Sequence, residues 1–276
     1  MRIVRIAAEH GPAMGRLEPD GRVRPFAFID STPLIEAAVA DGGPDSLRLG
    51  DAMPDGRWLS PVSDPSKIVG IGLNYVDHAT EATMAPPSEP LVFAKFPSSI
   101  IGPGATIRWS RSVSTSVDYE AELAVVIGAR ARDVPLERAL DHVFGYSCLN
   151  DVSARDLQFG DKQWVRGKSL DSFCPIGPVI VTADEIPDPQ NLSITCRIDS
   201  DVLQDASTAD MIFGVAELVS RLSHWFTLEP GDVIATGTPP GVGWFRTPRR
   251  LLGTGDEVTV DVGGVGSLTN PVVIDP

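Results

Sequence analysis

Glu120 and Glu122 stand one residue apart inside 119–128, a run apolar enough to form a buried strand. In a strand, residues two apart project from the same face, roughly 6.5–7 Å apart along the chain. Ala121, Leu123, Val125 and Ile127 would fill the opposite face, while Ala124 and Val126 continue the face of the two acids. Two carboxylates held together in apolar surroundings repel one another, and each resists ionisation. A divalent cation removes that conflict. An exposed edge strand with both acids in solvent is the alternative this segment leaves open. Asp151 follows the apolar stretch 146–149 and could supply a third oxygen. Three carboxylates with no His or Cys beside them suit a hard cation, Mg²⁺ or Mn²⁺, with open positions for water or substrate. Arg155 and Gln158 share a helical face if a short helix, capped by Ser153, starts near that residue. A solvated helix face is the plainer alternative. His78 and Glu81 are three apart, so one helical turn brings an acid against an imidazole. That pairing orients the ring and raises its basicity, as activation of water requires. A lone structural histidine fits the same spacing.

The elements that must position these groups are mostly strands. Alternation predicts strands over 2–7 and 22–29, joined by a turn at Asp20-Gly21, with a short helix over 34–39. Gly and Pro then punctuate the chain through Pro54, Asp55 and Gly56, and Asp64-Pro65 marks a boundary. Residues 1–62 are expected to form a small N-terminal domain and 65–276 a catalytic domain. Further strands are expected at 67–72, 119–128, 146–150, 178–182, 192–198, 233–236 and 258–262. Helical spacing marks 136–143 and 211–225. Residues 74–90, rich in proline and poor in apolar periodicity, should form a long loop acting as a lid. The balance of elements argues for a strand-rich α+β fold rather than a doubly wound sheet.

Composition narrows the function. The net charge of −14 makes a nucleic-acid partner unexpected, because phosphate recognition needs a basic surface. An anionic substrate would need its positive charge from a metal or a local Lys/Arg cluster. No apolar run reaches the ~18 residues of a membrane span. Residues 1–15 are broken by Arg5, Glu9 and His10, so a secretory signal is not expected and a cytoplasmic location is. The three cysteines are too few and too scattered for a disulfide framework or a zinc site. Gly167-Lys168-Ser169 lacks the upstream glycine of a phosphate-binding loop, and Gly70-Ile71-Gly72 lacks the third glycine of a dinucleotide fingerprint.

Five segments in order resemble the fumarylacetoacetate hydrolase family. They are Asn74-Tyr75-Val76-Asp77-His78-Ala79-Thr80-Glu81, Asp118-Tyr119-Glu120-Ala121-Glu122-Leu123-Ala124, the run from Asn150-Asp151 to Leu157-Gln158, Gly167-Lys168-Ser169-Leu170-Asp171, and the run from Thr236-Gly237-Thr238 to Val242-Gly243. The resemblance covers about 65–273. It implies a rolled mixed β-sheet catalytic domain, a homodimer, and metal ligation by Glu120, Glu122 and Asp151. It implies a lid bearing the His78–Glu81 dyad, with Lys168, Arg155 and Gln158 lining the substrate site. Thr238 would help hold a substrate carboxylate. The substrate is expected to be a small anionic 2-oxo acid. The expected reaction is hydrolytic C–C cleavage of a 2,4-diketo acid, with water activated by His78 and the oxyanion stabilised by Lys168. Oxaloacetate decarboxylation, tautomerisation, and isomerisation or hydration of related 2-oxo acids are the alternatives on the same site. A non-catalytic 2-oxo acid binding protein is the remotest.

Overall fold

The computed structural model describes residues 1–53 and 56–276; the expected turn residues Pro54 and Asp55 lie outside the described residues. An eleven-stranded mixed sheet dominates. Its main path runs Val23–Pro25, Gly11–Leu17, Arg2–Ala8, Cys174–Thr182, Val143–Asn150, Ala121–Ile127, Val233–Ala235, Ile68–Gly72 and Leu91–Lys95. Most neighbours are antiparallel, but Val233–Ala235 runs parallel to Ile68–Gly72. A second sheet of five strands stacks Asp201–Ser207, Ser193–Ile198, Glu257–Val262, Gly266–Asp275 and Ile107–Ser110. The fold is strand-rich α+β, as the pattern of apolar residues implies. Among the described residues, no helix is long and apolar enough to cross a membrane.

The strand Ala121–Ile127 lies between two apolar cores. Ala121, Leu123, Val125 and Ile127 belong to the larger one, shared with Leu218, Val219 and Leu222 of the helix Val215–Trp225 and with the five-stranded sheet. Ala124 and Val126 belong to the other, closed by Leu34, Ile35 and Ala38 of the helix Ser31–Ala40. Burying each such Leu, Ile or Val side chain stabilises the fold by about 1.5–3 kcal/mol. A strand buried on both faces cannot slip by one residue without turning its carboxylates into a core. The apolar cores thereby fix which way Glu122 points.

Several local expectations are corrected. Gly11–Leu17 is a strand that intervenes between the two expected N-terminal ones, and it pairs with Arg2–Ala8. Only Val23–Pro25 of the stretch 22–29 is strand. The segment 74–90 is not all loop, because Val76–Glu81 forms a short helix before the chain enters Leu91–Lys95. Leu136–His142 is a 3₁₀ helix that turns Leu136 and Leu140 to solvent and reaches the larger core through Ala139. The long helix begins at Val215 rather than 211. Met211 instead bridges to Tyr75, and the Ile212 N–H donates to the Asn74 carbonyl. Ser153 does not cap the helix Arg155–Gly160; it lies in a short strand and its hydroxyl donates to the Asp151 carbonyl.

Candidate active site

The three acids converge. Ligand oxygens of Glu120, Glu122 and Asp151 lie within 4.8 Å of one another, and all three residues are buried. The antiparallel register sets Ala121 opposite Asn150 and Glu122 opposite Leu149, which brings Asp151 level with Glu120. The Asp151 N–H donates to the Glu120 carbonyl at 2.9 Å and pins that level.

Cations crowd the same space. The Lys168 ammonium donates to Glu120 Oε2 at 2.5 Å and to Asp151 Oδ2 at 2.6 Å. Lys95 Nζ donates to Asp151 Oδ1 at 2.6 Å and also to the Lys168 carbonyl. Arg155 Nη2 lies 2.8 Å from both Glu120 Oε1 and Asp118 Oδ2. Both contacts are buried ion pairs. Arg155 Nε donates to Asp118 at 2.9 Å, and Nη1 to Gln158 Oε1 at 2.9 Å.

The three acids do not share this charge evenly. Burial opposes ionisation of Glu120, but Lys168 and Arg155 outweigh it and hold its carboxyl below the usual range. Glu122 is pushed well above that range by burial and by the nearby Asp151 and Glu120, against which the Lys168 charge and the Gly237 N–H at 2.9 Å are weaker counterweights. Lys168 stays charged despite burial, because Asp151 and Glu120 flank it.

This donor set fits a hard divalent cation. It is all carboxylate, and one of the acids is left resisting its own charge. A +1 ammonium already stands between two of the carboxylates, where a doubly charged ion would be better matched.

The cluster floors a cleft of about 460 Å³, partly open to solvent. His78, Gln158 and Thr238 reach its polar end, and Met84, Phe159, Trp164 and Phe245 form apolar walls. His78 Nδ1 faces Glu81 Oε2 at 3.2 Å, as the spacing implies. A carboxylate partner assigns the proton to Nδ1 and leaves the Nε2 lone pair for chemistry. Glu81 also accepts from the Gly241 N–H at 3.0 Å, which ties the helix Val76–Glu81 to the loop 237–243. Asn74 secures the base of that helix: its amide donates to the carbonyls of Phe213 and Thr236 and accepts from the Phe213 N–H. Gly237 has φ +96°, and a Cβ there would meet Asn74 Cβ at 2.7 Å, so the turn that presents its N–H to Glu122 needs glycine.

Seven of the nine residues singled out from sequence line one cleft, and the other two, Glu81 and Asp151, stand behind it against His78 and Lys168. Three others that hold it together carried no role in the sequence reading. Asp118 takes the N–H groups of Gly243 and Trp244 as well as Arg155, fixing the arginine against the loop. Gln204 accepts from the Ala121 N–H and donates to Thr238 Oγ1 at 2.8 Å, leaving Thr238 its hydroxyl proton to offer a ligand. Lys95 shares the inward face of its strand with Phe93. A lysine in register with a buried aromatic was the available signal.

The family model described as the fumarylacetoacetate (FAA) hydrolase C-terminal domain matches residues 67–273. The chain belongs to the fumarylacetoacetate hydrolase family. Over 99% of its length it is 41% identical to the mitochondrial oxaloacetate tautomerase FAHD2A of Bos taurus, covering 92% of that protein. Among solved structures it superposes on the 5-carboxymethyl-2-hydroxymuconate delta-isomerase of Mycobacterium smegmatis with a TM-score of 0.85, 37% identity and full coverage of both chains. It superposes on the fumarylacetoacetate hydrolase of Exiguobacterium antarcticum with a TM-score of 0.87, 38% identity and 99% coverage of each. Family members of this kind are enzymes of organic acids, named variously for tautomerase, isomerase and hydrolase activity. Two of these three names denote a hydrogen shift rather than hydrolysis, so the comparisons favour the alternative reaction over hydrolytic cleavage.

Proposed function

We propose that this chain is a Mg²⁺- or Mn²⁺-dependent tautomerase or isomerase of a small 2-oxo acid of the oxaloacetate class. One observation carries this reading: an oriented histidine base and a buried carboxylate trio meet at one cleft, with an ammonium set between two of the carboxylates. Glu120, Glu122 and Asp151 would hold the cation, which when bound supplies Lewis-acid stabilisation of negative charge on the substrate's oxygens. Thr238, held by Gln204, donates its hydroxyl proton to the substrate carboxylate. Gln158, whose carbonyl is engaged by Arg155, turns its amide donors to the same ligand. His78 Nε2 takes the proton from C3 while the Nδ1–H···Glu81 contact steadies the ring. Lys168 Nζ returns a proton to the C2 oxygen, completing a shift from keto to enol with no bond to water. The helix Val76–Glu81, docked on the loop 237–243, keeps bulk water from the proton in transit.

The test uses Mn²⁺-loaded protein with oxaloacetate and with acetylpyruvate. The expected result is rapid ketonisation of enol-oxaloacetate and exchange of C3 hydrogen for deuterium in D₂O, without new carboxylic acid fragments. Cleavage of acetylpyruvate into two acids with no effect on oxaloacetate exchange would restore the hydrolytic reading. Release of CO₂ at the rate of exchange would point to decarboxylation.

A further inference from the structure

Each carboxylate of the trio gives one oxygen to a donor set by the fold. Glu120 Oε1 faces Arg155 at 2.8 Å, Glu122 Oε2 accepts from the Gly237 N–H at 2.9 Å, and Asp151 Oδ1 accepts from Lys95 Nζ at 2.6 Å. Of the two side-chain donors, Lys95 is the more deeply buried. Its side chain and that of Asp151 are both 0% exposed. Its strand is locked to Ile68–Gly72 by the register Ile68↔Lys95. The same amine holds the Lys168 carbonyl, so Asp151 and the backbone of Lys168 are tied to one point.

We propose that Lys95 is a positioning residue that sets which cation the centre accepts. It occupies Asp151 Oδ1, so Oδ2, where the Lys168 ammonium now stands, is the one oxygen Asp151 can offer to an ion that takes the ammonium's place. Ions of calcium size take ~6–8 oxygens and commonly draw both oxygens of a carboxylate, whereas the smaller magnesium ion keeps to six ligands with near-ideal geometry. With Lys168 moved off Glu120 Oε2 and Asp151 Oδ2, each of the three carboxylates still has its other oxygen engaged, which disfavours the larger ion. The lysine's positive charge weakens all divalent cations alike and cannot by itself produce discrimination between two of them. Discrimination comes from the occupied oxygen.

This inference rests on the cation-centre part of the proposed function, and the test separates the two. The full chain, stripped with chelator, is titrated calorimetrically with Mn²⁺ alone and with Ca²⁺ alone, as wild type and as Lys95→Met. Lys95→Gln, whose shorter amide falls short of Asp151, is measured beside it in case the methionine variant does not fold. The wild type should bind Mn²⁺ at least about tenfold tighter than Ca²⁺, and either variant should shrink that ratio by about tenfold. A merely structural lysine would lower the melting temperature and shift both affinities together, leaving the ratio intact. That result, or a wild type with equal affinities, overturns the assignment. Failure of the wild type to bind either ion would instead fall on the cation centre itself, and the role of Lys95 would go with it.

Discussion

Asp232 and the carboxylates of the cleft are equally buried, yet the chain surrounds them in opposite ways. Asp232 is a single acid with four donors. Its Oδ1 accepts from Ser66 Oγ at 2.6 Å and the Lys67 N–H at 3.0 Å, and its Oδ2 from the Glu229 N–H at 2.7 Å and from Lys67 Nζ. In the cleft, Lys168 is divided between two carboxylates, and Glu122 has a backbone N–H as its named donor. A buried charge with its full complement of donors locks a turn. Glu122, short of donors beside two charged carboxylates, resists its own charge, and that shortage marks a place for a cation.

The contrast can be broken by mutation. Glu122→Gln should take turnover below detection, a loss of several kcal/mol of transition-state stabilisation. Gln resembles the protonated Glu122, so the metal-free variant should melt no lower than wild type. A variant with wild-type turnover would place Glu122 outside the machinery. His78→Ala should lower the exchange rate by about 10²–10⁴-fold while leaving Mn²⁺ affinity unchanged, since the ring moves a proton and does not hold the ion. Loss of Mn²⁺ binding in that variant would make His78 a ligand. Asp232→Ala should do the reverse of both: denaturant unfolding should show a loss of about 3 kcal/mol, with kcat of the surviving folded protein intact. The smallest effect is the pH dependence of cation binding. Glu122 is held above the ordinary carboxylate range, so the protein without cation must give up a proton to bind one. Apparent Mn²⁺ affinity should therefore rise with pH, by at most about tenfold per unit, up to that raised value. A flat profile in the same range would show Glu122 already ionised.

The two regions also differ in how legible they were. The cleft acids stood out because a strand apolar on both faces has no ordinary use for Glu120 and Glu122, and because His78 and Glu81 share a helical turn. The elements carrying them were largely legible: Ala121–Ile127 is apolar apart from Glu122, and the sequence marked 146–150 of Val143–Asn150 but drew Val143 into the helical spacing before it. The supporting groups were not. Gln204 lies on Asp201–Ser207, whose Asp201, Gln204, Asp205 and Ser207 show no apolar alternation, so neither the strand nor its buried amide announced itself. Met211 and Ile212 continue the helical spacing of 215–225 but are drawn off to the base of the helix Val76–Glu81, a long-range pairing that periodicity does not carry. The strand Gly11–Leu17 was hidden by Gly11, Pro12 and Gly15, which read as turn residues. Gly15 packs against Val23, where a Cβ would come within 2.4 Å of the valine side chain.

The central claim is that Glu120, Glu122 and Asp151 hold one divalent cation between them. Anomalous diffraction from crystals soaked in Mn²⁺ tests it directly. The account predicts one strong peak per chain, within bonding distance of an oxygen from each of the three side chains. A peak elsewhere, or a cleft without one at saturating Mn²⁺, would contradict it.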